Sequence, residues 1–349
     1  MSGPEGTELN STGSGALLGN SSGTGLANVE QILVPIVDTL ILVLGVCGHT
    51  LVMIILCGRR RGRGADRGGQ SPQSPATGTG TDILLLSLSA SDLLLLSTLP
   101  FHTVAIAMQR WPFGDVMCRL LGFLGSTSSS ASVFTLAVLA VSRYLTVVRP
   151  ARAYHLLTAR RVSIAALLLW IPACGLGAPQ LVFRSVGTPQ KSPDGFACFA
   201  FLCYRDQLIY GLFHFLAAFL LPLVTIGVAY GSIFAFLCGV QHAGRAPQVE
   251  RYQSKVTQTT AMLVLAFTLC WLPSYGLTLA LLADKNSAAT GASPRYGPFS
   301  VFARFMATLS TVMNPILYVL MSQKFRQDLL RLFKRVGQQP NTAVDLSAA

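Results

Sequence analysis

Seven apolar runs, each long enough to cross a lipid bilayer, constrain this 349-residue chain more than any other feature. A helix needs about 20 apolar residues to span the hydrocarbon core, and backbone inside a membrane must satisfy its own hydrogen bonds. Only 11% of the residues are charged, well below the roughly 25% of soluble domains. We therefore predict an all-α membrane protein, a seven-transmembrane helix bundle. The runs cover residues 32–57, 82–108, 115–148, 159–180, 206–238, 253–283 and 297–321.

The distribution of basic residues predicts that the N-terminus lies outside. In that orientation 18 of the 26 lysines and arginines fall in cytoplasmic segments, as the positive-inside rule expects. The net charge of +12 therefore points to membrane lipids and cytoplasmic partners and not to nucleic acid. Residues 1–31, rich in Gly, Ser and Thr, predict a disordered extracellular tail, in which Asn10 and Asn20 are candidate glycosylation sites.

Three segments lie on the cytoplasmic side of the predicted membrane domain, which covers residues 32–321. Residues 58–81 are rich in Gly, Ser, Pro and Arg, which predicts a long, flexible basic loop. Residues 322–336 place apolar side chains on one face and basic ones on the other, which predicts a short amphipathic helix along the inner membrane surface. Residues 337–349 form a short cytoplasmic tail in this prediction.

Short motifs occur in a fixed order along these spans. LSLSASDLLLL carries Asp92 in the second span, SRY ends the third, FTLCWLP lies in the sixth and NPILY in the seventh. The single residues at matching places are Cys118, Trp170, Pro222 and Tyr230. With these motifs the chain resembles the rhodopsin-like (class A) G-protein-coupled receptors over about residues 32–335. SVFTLAVLAVSRYL and RWPFGDVMC are most similar to the peptide-receptor branch, around the galanin, kisspeptin and somatostatin receptors.

The resemblance implies a plasma-membrane receptor that an extracellular neuropeptide activates and that promotes nucleotide exchange on heterotrimeric G proteins. Gly125 stands where amine receptors carry an aspartate, which argues against biogenic amines. The alternative is a receptor for a small anionic metabolite or lipid, with Arg304 and His102 holding its carboxylate. The sequence shows no HExxH motif, nucleophile–base pair or internal repeat, which argues against an enzyme and against a transporter.

Polar and aromatic side chains recur at a shared depth near the outer ends of the spans, which predicts a water-filled ligand vestibule. Asp38 in the first span and Arg304 in the seventh could contact ligand or could pair with each other, because these spans are neighbours in the family. The sequence leaves both alternatives open. The predicted ligand-binding residues are Asp38, His102, Gly125, His214, Trp271, Tyr275 and Arg304.

Asp92 lies deep in the hydrocarbon region, where a carboxylate is costly and indicates a functional site. Ser132 and Asn314 lie at nearly the same depth, and Ser310 lies one turn above Asn314. The resemblance implies that these side chains hold an allosteric sodium ion, the only cofactor expected. The alternative is a protonated Asp92 hydrogen-bonded to Asn314. His49 stands where the family usually has an asparagine, and as an imidazolium it would compete with sodium.

The resemblance implies that Arg143, at the cytoplasmic end of the third span, contacts the G protein in the active state. In the family it is usually held at rest by two acids, whose places are taken here by Ser142 and Gln253. Because neutral groups bind a guanidinium less strongly than carboxylates do, we predict a weak resting lock and signalling without ligand. The alternative is that Ser142 shifts G-protein choice or weakens coupling. The predicted switch is completed by Tyr144, Tyr230, Phe267 and Tyr318.

Cys118 lies near the outer end of the third span, in an oxidising compartment. The resemblance implies a disulfide between Cys118 and a cysteine of the second extracellular loop. Cys198 and Cys203 both qualify by position, and we prefer Cys198 because Cys203 lies nearer to the start of the fifth span.

Overall fold

A computed structural model confirms the predicted helical bundle. It describes residues 21–65, 76–187, 196–200, 204–242, 248–283, 297–321 and 323–337. The helices are α1 (Ser21–Ala65), α2 (Ala76–Ala107), α3 (Gly114–Val148), α4 (Pro150–Leu156), α5 (Ala159–Leu168), α6 (Trp170–Gly177), α7 (Pro179–Phe183), α8 (Tyr204–Phe215), α9 (Leu221–His242), α10 (Gln248–Ala283), α11 (Gly297–Met321) and α12 (Gln323–Gly337). Two short strands, β1 (Arg184–Gly187) and β2 (Ala197–Ala200), pair antiparallel.

The first three spans are α1, α2 and α3, and α5 to α7 together form the fourth. The fifth span consists of α8 and α9 with a π-helical turn between them, and the sixth and seventh are α10 and α11. Within the described residues, the first six spans have the length and apolarity needed to cross a membrane. The seventh has 25 residues and packs against the first and sixth, which closes the bundle.

The helix that contains the first span extends beyond the predicted apolar run 32–57, although its membrane-spanning part, Gln31–Arg60, agrees with that run. The helix begins at Ser21, inside the predicted disordered tail, and ends at Ala65, inside the predicted loop 58–81. The second span also begins early, at Ala76. A helix bonds its own backbone and can therefore continue beyond the apolar run that defines it in the sequence. Residues 1–20, with Asn10 and Asn20, lie outside the described part of the chain.

Small side chains place the third span at the centre of the bundle. Its stretch STSSSAS is almost wholly buried, and the hydroxyl of Ser128 donates to the carbonyl of Leu124 in the preceding turn at 2.6 Å. Because small residues let helix backbones approach closely, the fourth span sits tight against this stretch. A Cβ added to Gly177 would lie 2.2 Å from Oγ1 of Thr127. The centre of the bundle is thus polar in composition and still closely packed.

The β-hairpin covers the outer end of the third span. Cys198 on β2 forms a disulfide with Cys118, as predicted, and Cys203 lies outside the described residues. Asp115 adds a second attachment, because its Oδ1 accepts hydrogen bonds from the hydroxyl of Ser185 at 2.6 Å and from the amide of Val186 at 3.0 Å. These contacts hold β1 beside the outer ends of the helices.

The fifth span widens at Leu216–Leu220, a π-helical turn directly before Pro222. Proline has no N–H to donate to the carbonyl four residues earlier, so the regular helical ladder is already interrupted here. Such wide turns insert one extra residue and often occur at functional sites. The turn separates the outer half of the span, which carries His214, from the inner half, which carries Tyr230.

Candidate functional site

A cavity of about 630 Å³ opens at the outer end of the bundle, between spans two to seven and the start of β1. Its volume falls within the roughly 300–1,000 Å³ of small-molecule and cofactor pockets, and its wall is mainly apolar and aromatic with a few polar groups. Six of the seven predicted ligand-binding residues line it. They are His102, Gly125, His214, Trp271, Tyr275 and Arg304.

The cavity wall carries positive charge. Among the residues that the structure describes, its lining includes Arg184 and Arg304 and no carboxylate. At Gly125 the wall is open, since an added Cβ would meet no atom within 4 Å. A ligand that enters this space therefore meets guanidinium groups and apolar surface.

Asp38, the seventh predicted ligand residue, lies behind the cavity wall. It is 1% exposed, and its Oδ2 accepts hydrogen bonds from Nη2 of Arg304 and, at 2.8 Å, from the hydroxyl of Thr103. Of the two alternatives left open by the sequence, the structure shows the ion pair. Arg304 thus lines the cavity with its charge offset by Asp38.

Aromatic rings connect the cavity to the interior of the sixth span. The ring of Tyr275 stacks on Phe219 at a centroid distance of 4.4 Å and lies 6.1 Å from Trp271. Trp271 in turn stacks on Phe267 at 5.7 Å. Ring contacts thus connect the cavity surface at Tyr275 to Trp271 and Phe267. His214 lies at the edge of this series, 6.2 Å from Tyr275.

The structure adds cavity residues that the sequence analysis missed. Nε of Arg184 donates to Oε1 of Gln180 at 2.9 Å, and Nε2 of Gln180 donates to the hydroxyl of Tyr210 at 2.9 Å. That hydroxyl donates to the carbonyl of Leu176 at 2.9 Å. The chain of bonds joins β1 to the fourth and fifth spans. Arg184 follows a span directly in the sequence, but no periodicity signals that its side chain turns toward the cavity.

Asp92 is 3% exposed and collects polar partners from several spans. Its Oδ1 accepts from the hydroxyl of Ser132 at 2.9 Å, and its Oδ2 accepts from Nδ2 of Asn314 at 2.6 Å. Nε2 of His49 lies 3.5 Å from Oδ2 and 2.7 Å from the carbonyl oxygen of Thr311. Because a carbonyl can only accept, Nε2 carries the proton and donates it to Thr311, with the ring edge next to the Asp92 carboxylate.

Ser310, the fourth residue predicted for this site, has different partners. Its hydroxyl donates to the carbonyl of Ala307 at 2.6 Å and accepts from Nε1 of Trp271 at 3.0 Å. It therefore links the aromatic series of the cavity to the seventh span, one turn above Asn314. The structure brings Ser132 and Asn314 to Asp92 and places Ser310 on Trp271.

At the cytoplasmic end, Arg143 is 8% exposed and its Nη2 donates to the hydroxyl of Thr81 at 2.7 Å. The hydroxyl of Ser142 is directed along its own helix and donates to the carbonyl of Leu139 at 2.7 Å. The predicted switch residues Tyr144, Tyr230 and Phe267 belong to the apolar core of this inner half. The side chains of Tyr318 and Gln253 lie outside the described part of the structure.

Beside Arg143, an ion-pair cluster joins α12 to the bundle. Nε of Arg59 donates to Oδ2 of Asp328 at 2.5 Å, and its Nη1 lies 3.7 Å from Oδ1 of Asp82. Asp82 follows Thr81 directly, so the residue that binds Arg143 adjoins the cluster. Phe325 on α12 is buried against the core of the bundle. The apolar face of the amphipathic helix thus packs partly on protein.

Comparison with known proteins identifies a matching family. Residues 73–318 match the model of the family described as "7 transmembrane receptor (rhodopsin family)". Somatostatin receptor type 4 of Rattus norvegicus is 29% identical over 316 residues, which cover 89% of this chain and 75% of that receptor. Galanin receptor type 3 of Homo sapiens is 30% identical over 310 residues, which cover 88% of this chain and 80% of that receptor.

Proposed function

Because the chain belongs to the rhodopsin family of seven-transmembrane receptors, we propose that an extracellular neuropeptide activates it and that it promotes nucleotide exchange on heterotrimeric G proteins. It is a multi-pass protein of the plasma membrane and not an enzyme. The similar proteins are receptors for somatostatin and for galanin, both peptides, which supports a peptide ligand for this chain as well.

The observation that carries the proposal is the contact path from the cavity toward the cytoplasm. A peptide end that enters the cavity presses on Tyr275, and Trp271 and Phe267 move with it because their rings are in contact. Phe267 packs in the same inner core as Tyr230, which lies on the fifth span. Pro273, which lies between Trp271 and Tyr275 in the sequence, has no N–H to donate to the carbonyl of Leu269 and so provides a hinge in the sixth span. The inner half of the span can then move and expose Arg143.

The small-anion alternative receives less support. It assigns the ligand carboxylate to Arg304 and His102, but the Arg304 guanidinium already pairs with Asp38. A ligand anion at Arg304 would have to compete with a buried carboxylate that is fixed in place.

We propose in addition that a sodium ion binds at Asp92, with Ser132 and Asn314 as the other oxygen ligands. The carboxylate, hydroxyl and amide oxygens of these residues are hard donors that suit a small hard cation. Nε2 of His49 lies 3.5 Å from Oδ2 of the same carboxylate, beside the space that the ion would occupy, and so competes with the ion. We therefore expect sodium to bind weakly and to restrain the resting state only slightly.

A peptide screen tests the main proposal. Cells that express the receptor are exposed to a neuropeptide library, and cAMP and inositol phosphate are measured. We expect at least one peptide to produce a saturable response that Tyr275→Ala weakens and Arg143→Ala abolishes at equal surface expression. A response only to small carboxylic acids, lost in Arg304→Ala, would favour the alternative.

A further inference from the structure

We infer that Arg184 is a binding site for a carboxylate of the ligand, at the outer wall of the cavity. The inference deepens the proposed function, since it specifies one chemical group that the activating peptide presents. Arg184 stands at the first position of β1 and lines the cavity together with Gln180 and Tyr210.

Within the described residues, the Arg184 guanidinium has N–H donors without a strong acceptor. Its Nε donates to Gln180, and its Nη1 lies 3.6 Å from Sγ of Cys198, a weak acceptor. Among the residues that the structure describes, no carboxylate lies within ion-pair distance of Arg184, and none lines the cavity. Burial lowers the pKa of this guanidinium below its ordinary value, as expected for a charge removed from water without a compensating anion.

The other cavity arginine provides the contrast. Arg304 forms an ion pair with Asp38, so its charge is already compensated by the protein. His102 lies within electrostatic reach of both guanidinium groups and contributes no negative charge. The uncompensated cation of the described cavity is therefore Arg184.

The side chain is held in position before any ligand arrives. Its stem lies against Gly122, where an added Cβ would be 2.5 Å from Cδ of Arg184. The glycine provides the room that the stem occupies. The bond from Nε to Gln180 is itself fixed, because Gln180 donates to Tyr210 and Tyr210 to the carbonyl of Leu176. A preorganised group loses less entropy on binding and gives more affinity.

The chemistry of the site selects a planar anion. A guanidinium presents parallel N–H donors that match the two oxygens of a carboxylate. Aromatic side chains of Tyr210 and Tyr275 lie on the same cavity wall and suit an apolar or aromatic neighbour of that carboxylate. In a peptide, the group is either the C-terminal carboxylate or an Asp or Glu side chain.

A fragment pair tests the site without any knowledge of the natural peptide. Purified full-length receptor in lipid nanodiscs is titrated with N-acetylphenylalanine and with its neutral amide, and thermal stability is recorded. We expect the acid to stabilise the wild type at lower concentration than the amide. Arg184→Gln should weaken the acid about tenfold and leave the amide unchanged, since a hydrogen-bonded charge pair is lost. The concentration of acid needed to stabilise Arg184→Lys should lie between the values for the wild type and for Arg184→Gln.

Arg205→Gln is the matched control, because Arg205 is exposed at the start of α8 and does not line the cavity. It should respond to both fragments as the wild type does. Equal stabilisation of the wild type by acid and amide would overturn the inference, and so would an equal loss of acid selectivity in Arg184→Gln and Arg205→Gln.

Peptides from the activity screen then identify the source of the carboxylate. Each active peptide is made with a free and with an amidated C-terminus, and with Asp and Glu replaced by Asn and Gln. The replacement that lowers potency on the wild-type receptor but not on Arg184→Gln identifies the carboxylate that Arg184 binds. Acid selectivity of the fragments without any peptide response would overturn peptide activation and leave the carboxylate site standing.

Discussion

Arg143 and Thr81 are joined by a hydrogen bond of 2.7 Å from Nη2 to Oγ1, which ties the cytoplasmic ends of the third and second spans together. The acceptor is a neutral hydroxyl. Ser142, the neighbour of the arginine, uses its own hydroxyl within its helix. A carboxylate at position 142 would add a charge-assisted bond, which is roughly twice as strong as a neutral one.

Ser142→Asp should therefore lower signalling in the absence of ligand. The added restraint is worth about 1 kcal/mol, or about a fivefold reduction in the active fraction. This reduction is measured as the change in ligand-free cAMP suppression and inositol phosphate production, normalised to surface expression. Ser142→Asn is the control, since asparagine has nearly the size of aspartate and no charge. It should leave basal output unchanged. An equal drop in both variants would contradict the electrostatic restraint and support an effect of Ser142 on coupling.

The Asp38–Arg304 pair should matter for stability more than for ligand recognition. Arg304→Gln leaves the Asp38 carboxylate buried, and Thr103 is then the remaining partner among the described residues. Removal of one partner of a buried ion pair lowers the free energy of unfolding by about 3–5 kcal/mol. The double variant Asp38→Asn with Arg304→Gln removes both charges and should recover most of that loss. Melting temperatures of the purified receptor measure the coupling. Additive effects of the two substitutions would show that the ions do not stabilise each other.

His49 should limit the response to sodium. Replacement of sodium chloride by choline chloride at equal ionic strength is expected to change nucleotide exchange in wild-type membranes only slightly. His49→Asn removes the imidazole ring whose Nε2 lies 3.5 Å from Asp92 and offers an amide oxygen, so the sodium effect should grow several-fold. Asp92→Asn serves as the control and should abolish it in either background. A large sodium effect in the wild type that His49→Asn does not increase would contradict the competition.

Arg59 should hold α12 against the bundle. Arg59→Gln removes the 2.5 Å bond to Asp328, and hydrogen exchange of residues 323–337 should then become faster. Asp328 also has a partner in Arg331, at 3.6 Å, but that side chain is 76% exposed and the pair is worth little. Arg331→Gln is accordingly the matched control, with unchanged exchange expected. Faster exchange in both variants would indicate that the charge of the helix matters and not the specific bond.

The sequence predicts the seven spans because membrane burial requires long apolar runs, and it predicts the helix after the seventh because its two faces differ. It does not predict that the first helix begins at Ser21 and continues to Ala65, since polar ends are compatible with helix as well as loop. The sequence cannot decide whether Asp38 and Arg304 pair with each other or contact ligand, because these residues are 266 positions apart and their contact depends on tertiary packing. Ser310 was assigned to Asp92 by depth alone, and depth does not specify which side of the helix a hydroxyl faces.

Arg184 was missed for a related reason. Its position in the cavity follows from the disulfide and from Asp115, which together fold β1 over the third span. No local pattern of apolar residues encodes that arrangement.

The wide turn at Leu216–Leu220 lets the fifth span hold one extra residue without losing its register. An α-helix advances about 100° per residue, so one residue added to or removed from a regular stretch rotates everything beyond it by that angle. The wide turn takes up its extra residue within a single turn, and His214 and Tyr210 on its outer side keep their direction toward the cavity. An engineer who adds or removes one residue in a regular part of the span, between this turn and the cavity residues, would turn both side chains away from the cavity, although neither had been changed.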